Sequence, residues 1–115
     1  MPTRIYGIRN CDTMKKAFAW LDGNGVEYEF HDYKKAGVPP GKLKAWAKQL
    51  GWEALANTRG PTWRKIPEAK RENLTEAKML ALLEANTSAI RRPIVEADGK
   101  LLVGFDPEEF ARALG

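Results

Sequence analysis

Cys11 is the residue of this sequence best placed to do chemistry. It follows a short apolar run containing Ile5 and Tyr6 and precedes a helix-opening stretch, Asp12-Thr13-Met14-Lys15-Lys16. Backbone N–H groups in the first turn of a helix lack intrahelical partners and carry the positive end of the helix dipole. A sulfur held there is stabilised as thiolate, the nucleophilic form. The dipole contributes only about 0.3–1 kcal/mol at an exposed position, and one pKa unit is worth about 1.4 kcal/mol. Strong activation therefore needs direct hydrogen bonds or a cation as well. Arg9 is the nearest cation in sequence, and more distant arginines compete for the role. The plainer alternative is that a lone cysteine is a small buried hydrophobe.

A second concentration of reactive or ligand-binding types runs from Asn57 to Pro67, where Thr58-Arg59-Gly60-Pro61-Thr62-Trp63-Arg64-Lys65 follows neither a helical nor a strand period. Most charge runs are merely solvated. A non-periodic basic segment with Gly, Pro and Trp nevertheless suits a ligand loop, because guanidinium groups on a loop can meet a carboxylate, oxyanion or phosphate. With one cysteine and one histidine, His31, the chain can build neither an internal disulfide nor a Cys-rich zinc site. No metal is expected.

These residues need a scaffold. Arg4 to Ile8 reads as a strand, and the helix after Cys11 places Met14, Ala17, Phe18 and Leu21 on one face at i, i+3, i+4 and i+7. Asp22-Gly23-Asn24-Gly25 ends that helix. Val26, Tyr28 and Phe30 then alternate with Glu27, Glu29 and His31, a strand with one apolar and one polar face, on which His31 is a solvated or hydrogen-bonded residue. A βαβ unit of this kind implies parallel pairing. Lys34 to Gly41 reads as a loop, followed by a helix carrying Leu43, Trp46, Ala47 and Leu50 and stopped at Gly51. A further, well-buried helix is expected from Asn73, with Glu76 as capping-box partner, to Asn86. Ile94–Ala97 and Lys100–Val103 flank Asp98-Gly99, a type I′ hairpin signature. Asp106-Pro107-Glu108-Glu109 opens a final helix burying Phe110 and Leu114.

Length and composition set the outer bounds. A chain of 115 residues with 43% hydrophobic and 30% charged residues reads as one soluble domain. No apolar run approaches the roughly 20 residues that span a bilayer, and Met1-Pro2-Thr3-Arg4 lacks the apolar segment of a secretory signal. A cytoplasmic location is expected. The formal charge is +4, but the lysines and arginines are spread along the sequence and form no arm, which disfavours nucleic acid and suits attraction of small anions.

The order βαβ, helical stretch, ββα is that of thioredoxin-like folds, here as an α/β fold with a mixed sheet and an inserted segment of about 34–88. Tyr6-Gly7-Ile8-Arg9-Asn10-Cys11-Asp12-Thr13-Met14-Lys15-Lys16-Ala17, Tyr28-Glu29-Phe30-His31-Asp32-Tyr33, Thr62-Trp63-Arg64-Lys65, Arg91-Arg92-Pro93-Ile94-Val95 and Leu101-Leu102-Val103-Gly104-Phe105 carry a more specific likeness. With these segments in this order, the sequence resembles the arsenate reductase-like (ArsC/Spx) family, most nearly its small YffB-type branch.

The resemblance implies a catalytic cysteine at Cys11 and a cis proline at Pro93. It also implies oxyanion-binding arginines at Arg59 and Arg92, with Asn10 and Pro93 beside the bound anion and N–H groups around Asp12 and Thr13 on the thiolate. The family's third arginine is absent, with Gly104-Phe105 near its place. Gly7 stands where those enzymes have a histidine, and Met14 where Spx-type regulators have the second cysteine of a CxxC switch. A lone sulfur must be released from any covalent adduct by an external thiol. Together with the family likeness, this points to glutathione as co-substrate and glutaredoxin as partner, with no tightly bound cofactor. The alternative is a regulatory module that docks on RNA polymerase or another protein.

Overall fold

The computed structural model describes residues 3–114; Met1 and Pro2 of the N-terminal reading lie outside the described residues. Two compact units divide the chain, one made of Met1–Ala36 with Arg92–Gly115 and the other of Gly37–Arg91. The inserted unit begins and ends slightly later than its expected limits. The cause at the first boundary is local: instead of opening a loop, Tyr33–Ala36 forms a helical turn, α2, in which the Lys34 N–H donates to Asp32 Oδ1 at 2.9 Å.

The first unit is a four-stranded sheet in the order β2-β1-β3-β4, with β1 at Thr3–Gly7, β2 at Tyr28–Asp32, β3 at Ile94–Ala97 and β4 at Lys100–Val103. β1 runs parallel to β2 and antiparallel to β3, and β3 and β4 form the hairpin expected from Asp98-Gly99. Those two residues take φ of 46° and 78°, the left-handed pair that a type I′ turn requires. Helix α1, Asp12–Gly23, makes the parallel crossover, and α7, Pro107–Leu114, follows β4. Asp106 caps α7 through Oδ1, which accepts from the Glu108 N–H at 2.9 Å.

One face of the sheet supplies Ile5 and Val95 to a core completed by Met14, Ala17 and Leu21 of α1 and Phe110 of α7. Phe18 and Leu114, both expected in that core, are only partly buried against it. The opposite face is mixed, with Ile94 and Tyr6 buried beside charged residues. Strand register aligns His31, Tyr6 and Ile94 in one row and Glu29, Arg4 and Glu96 in the next, so charges alternate in sign across three strands. The Tyr6 hydroxyl donates to Glu96 Oε1 at 2.6 Å. His31 is half-buried, with its ring 5.5 Å from that of Tyr6 and 6.1 Å from that of Tyr33.

The second unit contains α3 (Lys42–Leu50), α4 (Pro61–Lys65), α5 (Glu68–Arg71) and α6 (Glu76–Ala85). Gly41 and Gly51 bracket α3 with φ of 81° and 85°, a conformation that a side chain would strain. Asn57–Pro67, expected to be irregular, instead holds α4, with Pro61 in its first turn where no N–H is needed. Trp63 is buried in it, so it acts as core and not as a stacking platform. The cap of α6 is Thr75, whose Oγ1 accepts from the Lys78 N–H at 3.3 Å, and not Asn73 with Glu76. Asn73 has φ of 51° and precedes the helix. Of the dense apolar residues of α6, only Met79 and Leu83 are fully buried.

Tyr6 and Tyr33 of the first unit make opposite predictions. Tyr33 is 3% exposed and its hydroxyl has no hydrogen-bond partner. Burial pushes its ionisation up, as do nearby Tyr6 and Glu96, against the pull of Arg92, so it stays a neutral hydroxyl. An unsatisfied buried donor costs about 1–3 kcal/mol; Tyr33→Phe should leave stability in urea unchanged or raise it. Tyr6→Phe, which removes a donor from a carboxylate, should lower stability by about 1.5–3 kcal/mol. Equal losses in the two variants would contradict this assignment.

Candidate functional site

The site is placed by strand register. Tyr6 of β1 lies opposite Ile94 of β3 in antiparallel pairing, so the chain leaving β1 toward Cys11 runs beside the chain arriving at β3 through Arg92 and Pro93. The Arg92–Pro93 peptide is cis, Pro93 is buried, and its carbonyl accepts from the Gly104 N–H at 2.8 Å. Between β1 and α1 the chain turns tightly, with the Cys11 N–H donating to the Arg9 carbonyl at 3.1 Å.

Cys11 is the N-cap of α1, in extended conformation, with its carbonyl accepting the helical hydrogen bond from Lys15 at 2.9 Å. The side chain is half-buried and its sulfur is free. Burial pushes the thiol up. The Met14 N–H, the Arg92 guanidinium with its charge and the Thr13 N–H favour the thiolate and outweigh it, and the net direction is below the ordinary thiol value. The sulfur makes no cap hydrogen bond, so these groups act on it as neighbouring dipoles and charge.

The cation beside the sulfur is Arg92 and not the sequence neighbour Arg9, whose guanidinium lies 5.3 Å from the centroid of the Phe30 ring. Met14 and Thr13 supply the first-turn N–H groups that lower the thiol's pKa; the apolar side chain of Met14 marks it in sequence as core and gives no sign of this backbone role. Asp12 and Asn10 are exposed beside Cys11. Arg59 is an exposed residue of the second unit, just ahead of α4. Among the described residues, no three His, Cys, Asp or Glu side chains converge to hold a metal ion.

Gly7 explains the floor of the site. A Cβ built there would lie 2.5 Å from Met14 Sδ and 2.8 Å from its Cε, far inside contact distance. Met14, fully buried, thus fills the volume that a side chain at position 7 would need. The two sequence departures noted at these positions are therefore one packing arrangement.

A βαβ and ββα pair on one mixed sheet, with a cysteine capping the first helix beside a cis proline, defines the thioredoxin-like class. Within it, the sequence matches the ArsC family over residues 6–113, and the chain belongs to that family. The solved structure of the YffB protein is similar at 46% identity, covering 98% of this chain and 99% of that one with a TM-score of 0.95. An arsenate reductase (ArsC) related protein from Brucella melitensis shares 47% identity over 97% of this chain and 93% of its own, with a TM-score of 0.77. The global transcriptional regulator Spx of Listeria innocua is 24% identical over 112 residues, 96% of this chain and 85% of the regulator.

Two measurements follow. The thiol is an acid whose folded pKa is lowered, so the interactions that lower it stabilise the fold above the ordinary thiol range and are lost as pH falls through the lowered value. Cys11 alkylation should accordingly reach half-maximal rate below about pH 8.5, the free-thiol value, and Arg92→Gln should move that midpoint up; an unmoved midpoint would remove Arg92 from the site. Separately, Gly7→Ala should cost about 1–3 kcal/mol by overpacking, and the cost should shrink in a Met14→Ala background. Additive losses in that double-mutant cycle would show that the two positions do not share one volume.

Proposed function

We propose that this protein is a monothiol reductase that works with glutathione. The observation carrying the proposal is the cysteine at the N-cap of α1, with Arg92 favouring its thiolate and its pKa directed below the ordinary value. In the proposed reaction the Cys11 thiolate attacks one sulfur of a disulfide. A bond forms between Cys11 and that sulfur, the original S–S bond breaks, and its other half departs as thiolate. The chain has no second cysteine, so an external thiol must attack the resulting mixed disulfide. That attack returns Cys11 as thiolate and forms a new disulfide. Glutathione, or the thiol of a glutaredoxin, supplies this step, which suits a reducing cytoplasmic setting.

Arg92 is assigned to a carboxylate of glutathione or to an oxyanion, where a guanidinium makes paired hydrogen bonds. Asn10 and Pro93 belong to the same assignment by their place beside Cys11 and Arg92 in the chain, and Arg59 by its position in the family pattern. The test is intact-mass spectrometry after incubation with glutathione disulfide. One glutathione per chain is expected, none in Cys11→Ser, and release of the adduct by glutaredoxin. Absence of the adduct, under conditions that modify exposed control thiols, would overturn the proposal.

Arsenate is a poorer candidate substrate. With Gly104-Phe105 in place of a third arginine, one side of the oxyanion lacks a charge-assisted donor worth roughly 1.5–3 kcal/mol. Arsenate turnover should be about ten- to a hundredfold below that of a three-arginine enzyme, or absent. A second reading, a regulatory module that docks on RNA polymerase, is favoured by the likeness to Spx. Inert Cys11 together with polymerase binding would select it.

A further inference from the structure

The excess of positive over negative charge in this protein is concentrated in one stretch of the sequence. The second unit, residues 37–91, holds ten Lys and Arg against five Asp and Glu, whereas the first holds nine against ten. Within the second unit, residues 59–71 alone carry Arg59, Arg64, Lys65, Lys70 and Arg71 against Glu68. That segment accounts for the whole +4 of the chain, since the remaining residues have fourteen charges of each sign.

A cavity of about 300 Å³ lies in this segment, where α4, α5 and the C-terminal end of α6 meet. Ile66, Pro67, Leu82 and Ala85 give it apolar walls, and Lys65 and Lys70 line it with ammonium groups. Both lysines are exposed and, among the described residues, neither forms a salt bridge. Arg71 is committed instead to the fold, its Nε donating to the Ile66 carbonyl at 2.9 Å. The size is at the bottom of the roughly 300–1,000 Å³ range of small-molecule sites and suits a few apolar side chains.

We infer that this cavity is a docking site for an acidic, amphipathic segment of another protein. Its apolar anchor would fill the space between Ile66, Leu82 and Ala85, and its carboxylates would meet Lys65 and Lys70. Charge complementarity commits the site to an acidic partner, because an uncompensated cationic rim steers anionic segments and repels basic ones. The apolar walls favour a peptide over nucleic acid. Single-stranded nucleic acid needs aromatic faces for its bases, and Trp63, the aromatic residue of α4, is buried. Glu68 of α5 and Glu84 of α6 are not among the residues that line the cavity. The inference does not depend on Cys11 and adds a partner to the proposed reductase.

A random peptide-display selection against the full chain tests it, with Lys65→Glu/Lys70→Glu and Ala85→Phe chains as counter-targets. All three positions are exposed, so the variants should keep wild-type circular dichroism and wild-type Cys11 alkylation. Peptides combining one or two apolar residues with flanking Asp or Glu should be enriched. Fluorescence anisotropy of an enriched peptide should show binding weakened about tenfold or more by the charge reversal and again by filling the cavity. Enrichment of acidic peptides indifferent to Ala85→Phe would reduce the site to bare electrostatics and overturn the inference. Failure to enrich any peptide sensitive to both variants would do the same, as would displacement of the peptide by a tighter-binding single-stranded oligonucleotide.

Discussion

The pairing of β1 with two neighbours of opposite direction is the constraint on which the site depends. Parallel pairing to β2 forces a crossover, and α1 is that crossover, so its N-terminus must stand at the end of β1 where the helix begins. Antiparallel pairing to β3 then delivers the start of β3 to the same end of the sheet. Cys11 and Arg92 are far apart in sequence, yet neither needs a long loop to reach the other's neighbourhood. A slip of one residue in the β1–β3 register would turn Tyr6 and Ile94 toward the face now formed by Ile5 and Val95, and would carry Arg92 away from the sulfur with them. Core packing and the surroundings of Cys11 are thus specified by the same hydrogen-bond ladder.

The site's interior shows how one packing choice governs two chemical options. Met14 supplies an N–H to the sulfur from its backbone and fills the space above Gly7 with its thioether. A histidine at position 7 would need that space, and a cysteine at position 14 would leave it empty. Methionine, flexible and apolar, closes the floor of the site at the cost of a second titrating or redox group there. Activation of Cys11 consequently falls to backbone donors and to Arg92.

Much of the first unit could be read from the sequence because its signals are local. The Asp98-Gly99 turn, the Asp106 cap and the spacing of Met14, Ala17 and Leu21 each state a geometry within a few residues. Cys11 was visible for the same reason. The identity of its cation was not, because the choice between Arg9 and Arg92 is made by strand pairing, and Phe30 takes Arg9 from a neighbouring strand. The second unit was harder to read. Its helices α4 and α5 have five and four residues, too short for a period to emerge, and Gly60 and Pro61 signal a loop as readily as a helix start. At α6, Asn73 fitted the capping pattern but adopts a left-handed turn, and Thr75 takes the cap two positions on.

Charge distribution sharpens what activates the thiol. The first unit carries ten acids against nine cations, so its net charge gives a thiolate no general advantage, and partial burial of Cys11 works against one. The downward direction therefore comes from neighbouring donors: two first-turn N–H groups fixed by α1 and a guanidinium fixed by the turn into β3. Interactions of this kind fall off within the first turn of a helix and depend on alignment. Displacement of either element would leave burial as the dominant influence and return Cys11 to an ordinary or raised thiol. The lowered pKa of the cysteine is in this sense a property of the junction between β1, α1 and β3 and not of the residue alone.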